Sequence, residues 1–173
     1  PDYFPAVGGV LREEFTPERT ALIVEPGISL LSSATTFVTQ VLDVRDIGDR
    51  RYLITDGSRF QIDPTMIKSS YLFHLELDPS GPKERPEMER QCVSGYSCME
   101  VDRLFELENG PELMAGDRIV YENVGGYTMS LSPLFIRYFP DVYVRRKGEL
   151  KKVRERWTPR EYVQNCMLYQ EET

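Results

Sequence analysis

Histidine and cysteine are scarce in this 173-residue chain, which has one of the first and three of the second. The single histidine, His74, excludes every site built on a histidine pair. Cys92, Cys98 and Cys166 are odd in number and form no CxxC pair. That is neither a disulfide framework nor a zinc-site spacing, so no metal is expected, and it fits a reducing, cytoplasmic setting. Long apolar runs are missing too, and none approaches the ~20 residues of a membrane-spanning helix. Basic charge is short: 21 Lys and Arg face 28 Asp and Glu, for a net charge of −7. Phosphate-backbone binders usually carry a net basic face, so neither nucleic acid nor membrane is an expected partner. There is no internal repeat and no low-complexity tract. The chain suits one domain with a real core but falls short of a complete (β/α)8 barrel, which needs roughly 250 residues. It starts at Pro1 with no Met and no signal-peptide pattern, so a piece of something longer is expected.

What is present reads mainly as short strands. Residues 10–15 suggest a short helix closed by Thr16-Pro17. Residues 21–24 (Ala-Leu-Ile-Val) are continuously apolar, the pattern of a strand buried on both faces in a parallel sheet. Residues 32–37 suit a helix or a bend. From residue 37 the texture changes. Residues 37–44, 51–55, 71–77, 93–98, 118–121 and 142–145 are short, alternating or β-branched segments separated by Gly, Pro and Asp turns. That spacing predicts an antiparallel β-barrel or sandwich. Residues 81–90 read as a polar loop. Thr158, Pro159 and Glu161 form the signature of a capping box opening a terminal helix, with Trp157 as its packing anchor. Residues 145–156 carry seven basic and two acidic side chains, which leaves about 12 units of negative charge elsewhere. They predict a solvated hairpin with Gly148 in its turn, or a docking strip for an acidic partner. His74 reads as a surface residue, Cys92 and Cys166 as structural.

Three segments can carry chemistry. Glu25 follows the apolar run directly and sits in Glu25-Pro26-Gly27-Ile28-Ser29. A carboxylate there can face the mouth where buried strands end, or it can be a solvated turn residue. Cys98 lies in Gly95-Tyr96-Ser97-Cys98-Met99-Glu100-Val101-Asp102. Neighbouring carboxylates raise a thiol pKa, so the pattern offers no ready-made thiolate, and a half-buried structural cysteine is the other reading. Gly125-Gly126-Tyr127 permits close backbone approach to a ligand, with hydroxyls on Tyr127, Thr128 and Ser130; a hairpin turn explains it equally well.

In order and spacing these segments resemble the C-terminal portion of the fold-type III, pyridoxal-phosphate-dependent decarboxylases, the family of the ornithine, arginine and diaminopimelate decarboxylases. That family runs from Glu-Pro-Gly-Arg through barrel strands to Gly-Pro-x-Cys-(Asp/Glu)-x-x-Asp, Pro-Gly-Asp and Gly-Ala-Tyr. The matching segments here are those of Glu25, of Cys98, Ala115-Gly116-Asp117 and that of Tyr127, across roughly residues 20–145. The resemblance implies a mainly β fold: an antiparallel β-barrel of the decarboxylase C-terminal type over residues 37–173, with residues 1–36 as the remnant of the last strand and helix of an N-terminal (β/α)8 barrel. It implies pyridoxal 5'-phosphate as cofactor and a small amino acid as substrate. Glu25 would bond the pyridine nitrogen, Gly27 would sit near the cofactor phosphate, and the Tyr127 phenol would bond it. Cys98 would reach across a homodimer interface to protonate the partner's reaction intermediate, with Met99, Glu100 and Asp102 facing substrate.

Three departures qualify that picture. Ile28 stands where the family has a phosphate-binding Arg. Met99 stands where an acid usually engages a distal ammonium, and a thioether cannot pair one. Lys68, Lys83, Lys147, Lys151 and Lys152 all follow Glu25, so none matches the family's Schiff-base lysine near the start of its barrel. The expectation is therefore part of a decarboxylase that is inactive without the missing barrel half. A catalytically inactive regulatory relative and an unrelated β-barrel binding module are the other readings.

Overall fold

A computed structural model describes residues 3–167. The body is one six-stranded sheet made of β1 (Phe37–Ile47), β2 (Arg50–Thr55), β3 (Leu72–Glu76), β4 (Glu87–Ser94), β5 (Arg103–Pro111) and β6 (Arg118–Glu122). Strand order is β3-β6-β1-β2-β4-β5. β1 shows why the sequence pleats here. Thr39 and Val41 point inward and are buried, whereas Val38, Gln40 and Leu42 point outward and are exposed. A register shift between Val41 and Asp43 bends β1, so its first residues pair with β6 and its later ones with β2. That bend helps curl the sheet. Phe73 on β3 and Phe105 on β5, from the two outermost strands, bring their ring centroids to 4.3 Å. Inside the curl lie Val41, Leu53, Ile62, Val93, Leu104, Leu113, Ile119, Tyr121 and Val124.

The fold class is confirmed as mainly β and corrected in detail. β2 pairs with β4 in parallel, so the sheet is mixed and not wholly antiparallel. Residues 21–24 form no strand, and Ile23 is 87% exposed. A strand covered on both faces needs neighbouring strands and a covering layer, and none of the described residues supplies them to this run. Upstream lies a helix, α1 (Tyr3–Glu14), longer than the expected 10–15.

Buried polar groups pin the loops. Arg85 clamps Asp117 through two guanidinium nitrogens at 2.9 and 3.1 Å. The same carboxylate accepts the Asp78 and Met114 amides at 2.8 and 2.7 Å. Asp117 thus uses both oxygens as the chain turns into β6. Two further elements follow. β7 (Val142–Arg146) and β8 (Glu149–Arg154) form the expected hairpin. Lys147 and Gly148 occupy its turn with φ of 52° and 86°, the twist that suits a two-residue hairpin. α3 (Pro159–Tyr162) opens on the expected capping box, with Thr158 accepting from the Arg160 amide and Glu161 from the Thr158 amide. Trp157 packs edge-on against Phe139 at 5.0 Å. Cys92 is buried as expected, whereas Cys166 is exposed. No helix among the described residues is long and apolar enough to cross a membrane.

Candidate functional site

The Glu25 segment folds as a turn into a short helix. Ser29 donates its amide and hydroxyl to the Pro26 carbonyl at 2.8 and 2.7 Å, and α2 (Ile28–Leu31) follows. A 3-10 turn, Ser32–Ala34, leads on to β1. The Tyr127 segment docks directly on this helix. The Ser32 hydroxyl donates to the Asn123 carbonyl at 2.7 Å across 91 residues of sequence. The Gly125 amide returns a bond to the Ser32 carbonyl at 3.1 Å, and the Val124 amide bonds the Thr35 carbonyl at 3.2 Å. Gly125 is required by this approach, because a Cβ there would run into the Leu31 carbonyl oxygen.

Two of the motifs therefore share a cavity. It measures about 370 Å³, and its wall includes Gly27, Ile28, Gly126, Tyr127, Met129 and Ser130. Tyr127 sits there at φ 64°, a left-handed conformation that a bulky side chain rarely adopts. Such strain clusters at ligand clamps and switch regions. No Lys or Arg lines this cavity. Glu25, two residues before Gly27, is exposed and makes no hydrogen bond or ion pair among the described residues. It lies just outside the cavity wall.

The Cys98 loop is built separately. Cys98, Met99 and Glu100 are exposed at its tip and do not line the Tyr127 cavity. Asp102, expected to face substrate, is turned inward and only 2% exposed. One of its oxygens accepts the Ser58 hydroxyl at 2.8 Å and the Arg59 amide at 2.7 Å. The other accepts the Ser97 amide at 3.0 Å. Asp102 thus accepts from three donors and holds the loop from below. Tyr96, beside it, has its phenol pKa raised, first by burial and then by the Asp102 charge. The Arg137 guanidinium lies 4.8 Å from the centre of the Tyr96 ring. Among the described residues no group of three His, Cys, Asp or Glu side chains converges as metal ligands.

Sequence reasoning missed Ser58, Ser132 and Arg137. Ser58 had a legible signal, because Ser58-x-x-Gln61 is a capping-box spacing and both of its bonds form. Ser132 and Arg137 carried none, since their partners lie far away in sequence.

Comparison with known proteins bears on the same elements. A family model described as the pyridoxal-dependent decarboxylase C-terminal sheet domain matches residues 28–125. A probable chloroplastic diaminopimelate decarboxylase of Oryza sativa is 27% identical over 83% of this chain and 29% of its own length. The diaminopimelate decarboxylase of Escherichia coli K12 is 28% identical over 82% of this chain and 36% of its own. A crystal structure of a diaminopimelate decarboxylase superposes with a TM-score of 0.65 at 26% identity, covering 79% of this chain and 35% of that one. The chain spans about a third of the length of these curated relatives. Such a match leaves the unrelated β-barrel module without support and does not favour the inactive relative. With the match running from α2 through β6 to Gly125, the chain belongs to the family of pyridoxal-dependent decarboxylase C-terminal sheet domains.

Proposed function

We propose that this chain is the part of a pyridoxal-phosphate-dependent amino-acid decarboxylase that holds the cofactor phosphate and presents Cys98 to the site of a second subunit. One observation carries the reading. The Ser32 to Asn123 bond and its neighbours bring the Glu-Pro-Gly and Gly-Gly-Tyr segments to one cavity, although 91 residues separate the bonded pair. The residues present fit the phosphate end of the cofactor. Gly126 and Gly27 leave backbone accessible, and Tyr127 and Ser130 bring hydroxyls. With Ile28 in the wall, these donors are neutral, so phosphate affinity rests on hydrogen bonds and on groups outside this chain.

Bound pyridoxal phosphate supplies an electron sink for the charge left when carbon dioxide departs. The Tyr127 phenol donates to the phosphate. Glu25, free of partners among the described residues, accepts the pyridine N–H. Cys98 and Glu100 stand exposed away from the Tyr127 cavity, as residues serving a neighbouring subunit would. Met99 disfavours a cationic distal group, so the substrate has a less cationic or bulkier far end than ornithine or lysine. Diaminopimelate, whose distal ammonium carries its own carboxylate, is the first candidate. None of the five lysines of this chain stands where the cofactor would be held covalently, so that lysine would come from outside residues 1–173.

The test uses the full-length protein that carries this chain. Adding pyridoxal phosphate should produce a visible absorption band that borohydride abolishes. Tyr127→Phe should weaken cofactor binding about tenfold, the usual worth of a hydrogen bond to a charged group. A protein that stays colourless overturns the reading. Ready turnover of ornithine or lysine in an amino-acid panel overturns the assignment of Met99.

A further inference from the structure

The Tyr127 segment and the Cys98 loop meet the same small element. The 3-10 turn Arg59–Gln61 is a rigid piece, closed by bonds from the Phe60 amide to the Ser58 hydroxyl and from the Ser58 amide to the Gln61 side chain. On one side, Ser58 and the Arg59 amide grip Asp102 at 2.8 and 2.7 Å. Asp102 in turn holds the Cys98 loop through the Ser97 amide at 3.0 Å and, by its own carbonyl, the Gly95 amide at 2.8 Å. On the other side, the Ser132 hydroxyl lies 2.7 Å from both the Phe60 and Thr128 carbonyls. The Thr128 hydroxyl continues to the Val124 carbonyl at 2.7 Å, at the start of the Gly-Gly-Tyr turn.

The Ser132 hydroxyl has one proton and so bonds one of the Phe60 and Thr128 carbonyls at a time, and through it a polar chain runs from one motif to the other by way of a single turn. Ser58, Phe60, Asp102 and Ser132 are all buried. Apolar packing would hold loops together without such groups, and each buried partner left unmet would be costly. Buried networks of this kind fix one geometry when fully satisfied. A second tie runs in parallel: Arg137 donates to the Asp56 carbonyl at 2.9 Å while covering Tyr96. Glycine accommodates the arrangement at residue 95, where a Cβ would collide with the Asp102 carboxylate.

We propose that the 3-10 turn Arg59–Gln61 is a strut setting the position of the Cys98 loop relative to the Tyr127 segment, with Ser58 and Ser132 as positioning residues. The assignment deepens the functional reading and rests on it for the importance of both ends. The strut joins the two ends by hydrogen bonds, and the Cys98 loop is also tied to the sheet: Gly95 directly follows β4, Asp102 directly precedes β5, and the Tyr96 amide bonds the Gly57 carbonyl at 3.2 Å just past β2. Loosening it at Ser132 releases the Cys98 loop, on the far side of the turn.

Hydrogen exchange resolved to single amides in the full-length protein tests this without cofactor. In the unsubstituted protein, the Arg59, Gly95 and Ser97 amides and the Leu131 amide, which bonds the Tyr127 carbonyl at 2.8 Å, should open as one group with a common denaturant dependence. Ser132→Ala should lower protection at Gly95 and Ser97 about fivefold, the effect of one lost hydrogen bond, and leave β2 and the β7–β8 hairpin unchanged. Ser132→Thr, which keeps the hydroxyl, should restore protection. Two independent opening groups in the unsubstituted protein overturn the strut, and that result needs no variant to fold. So does a Ser132→Ala protein in which Gly95 and Ser97 stay within twofold, or in which β2 loses protection in parallel. A colourless protein with an intact strut would sink the functional reading alone.

Discussion

The curled sheet and the β7–β8 hairpin are made from similar local sequence, yet the sheet encloses a nine-residue core and the hairpin buries no residue of its strands. Alternation and a good turn suffice to form the hairpin. Burial needs a second layer, which the sheet makes by curling on itself and the hairpin lacks. The cavity and the Cys98 loop both hang from the sheet side of this divide. Substitutions in the two regions should therefore differ sharply in effect.

The largest effect is expected where a loop is pinned by charge. Asp117→Ala leaves Arg85, 3% exposed at its side chain, without its carboxylate. Breaking one partner of a buried pair costs about 3–5 kcal/mol. Denaturant unfolding should show a loss of that size, and a loss below about 1 kcal/mol would mean that water already reaches the pair.

Next comes the core. Leu53, fully buried on β2, should lose about 2–5 kcal/mol on Leu53→Ala. Leu150→Ala on β8, where the side chain is 61% exposed, should stay within about 0.5 kcal/mol. Equal losses in the full-length protein would show that something covers the hairpin, which would erase the contrast between the two regions.

Alkaline pH should strain the sheet first. Burial pushes the Tyr71 phenol up to about 12 from 10.0, and Tyr121, deeper still, is pushed well above its ordinary value for the same reason. Both keep their protons in the folded state at pH values where the unfolded chain has lost them. The stabilisation from Tyr71 is complete below pH 10.0 and is lost as pH rises toward about 12, and that from Tyr121 is lost in the same direction. The sheet's phenols should ionise together with unfolding, followed by tyrosinate absorbance and circular dichroism in one titration. Ionisation of Tyr121 with the sheet still folded would contradict its burial.

The same divide explains what was legible in the sequence. β1 announces itself by alternation, because one of its faces meets the core, whereas β2 and β6 read as short apolar runs, and β6 buries Ile119, Val120 and Tyr121 in succession. β5 does neither. It carries Glu106, Glu108 and Asn109, residue types that strands disfavour, and it forms an edge of the sheet where charge discourages further pairing. The first half of β4 reads as a polar loop for a related reason. Arg90 there spends its charge on Glu106 and Glu108 of β5, a pairing invisible until the strands are side by side. The parallel β2–β4 register is set by closure of the whole sheet. Residues 21–24 mislead in the opposite direction, since an apolar run describes what a segment can bury and not whether anything covers it. In the site, the motifs containing Glu25, Cys98 and Tyr127 were readable as short patterns. The inward turn of Asp102 and the strut beneath it depend on contacts between residues 44 and 72 positions apart.

The smallest effect should come from the hairpin's own ion pair. Lys152 lies 3.1 Å from Asp141, the lysine side chain exposed and the aspartate partly exposed. The Asp141 carboxyl is held below its ordinary range first by the Arg156 amide and then by Lys152, so much of its stabilisation comes from backbone that the substitution leaves in place. Water and salt screen what remains. Lys152→Ala should therefore leave the unfolding midpoint unchanged within error, at low salt as well as high. A clear, salt-sensitive loss in the full-length protein would instead mean that this pair is buried against another surface, and that the exposed hairpin is an interface.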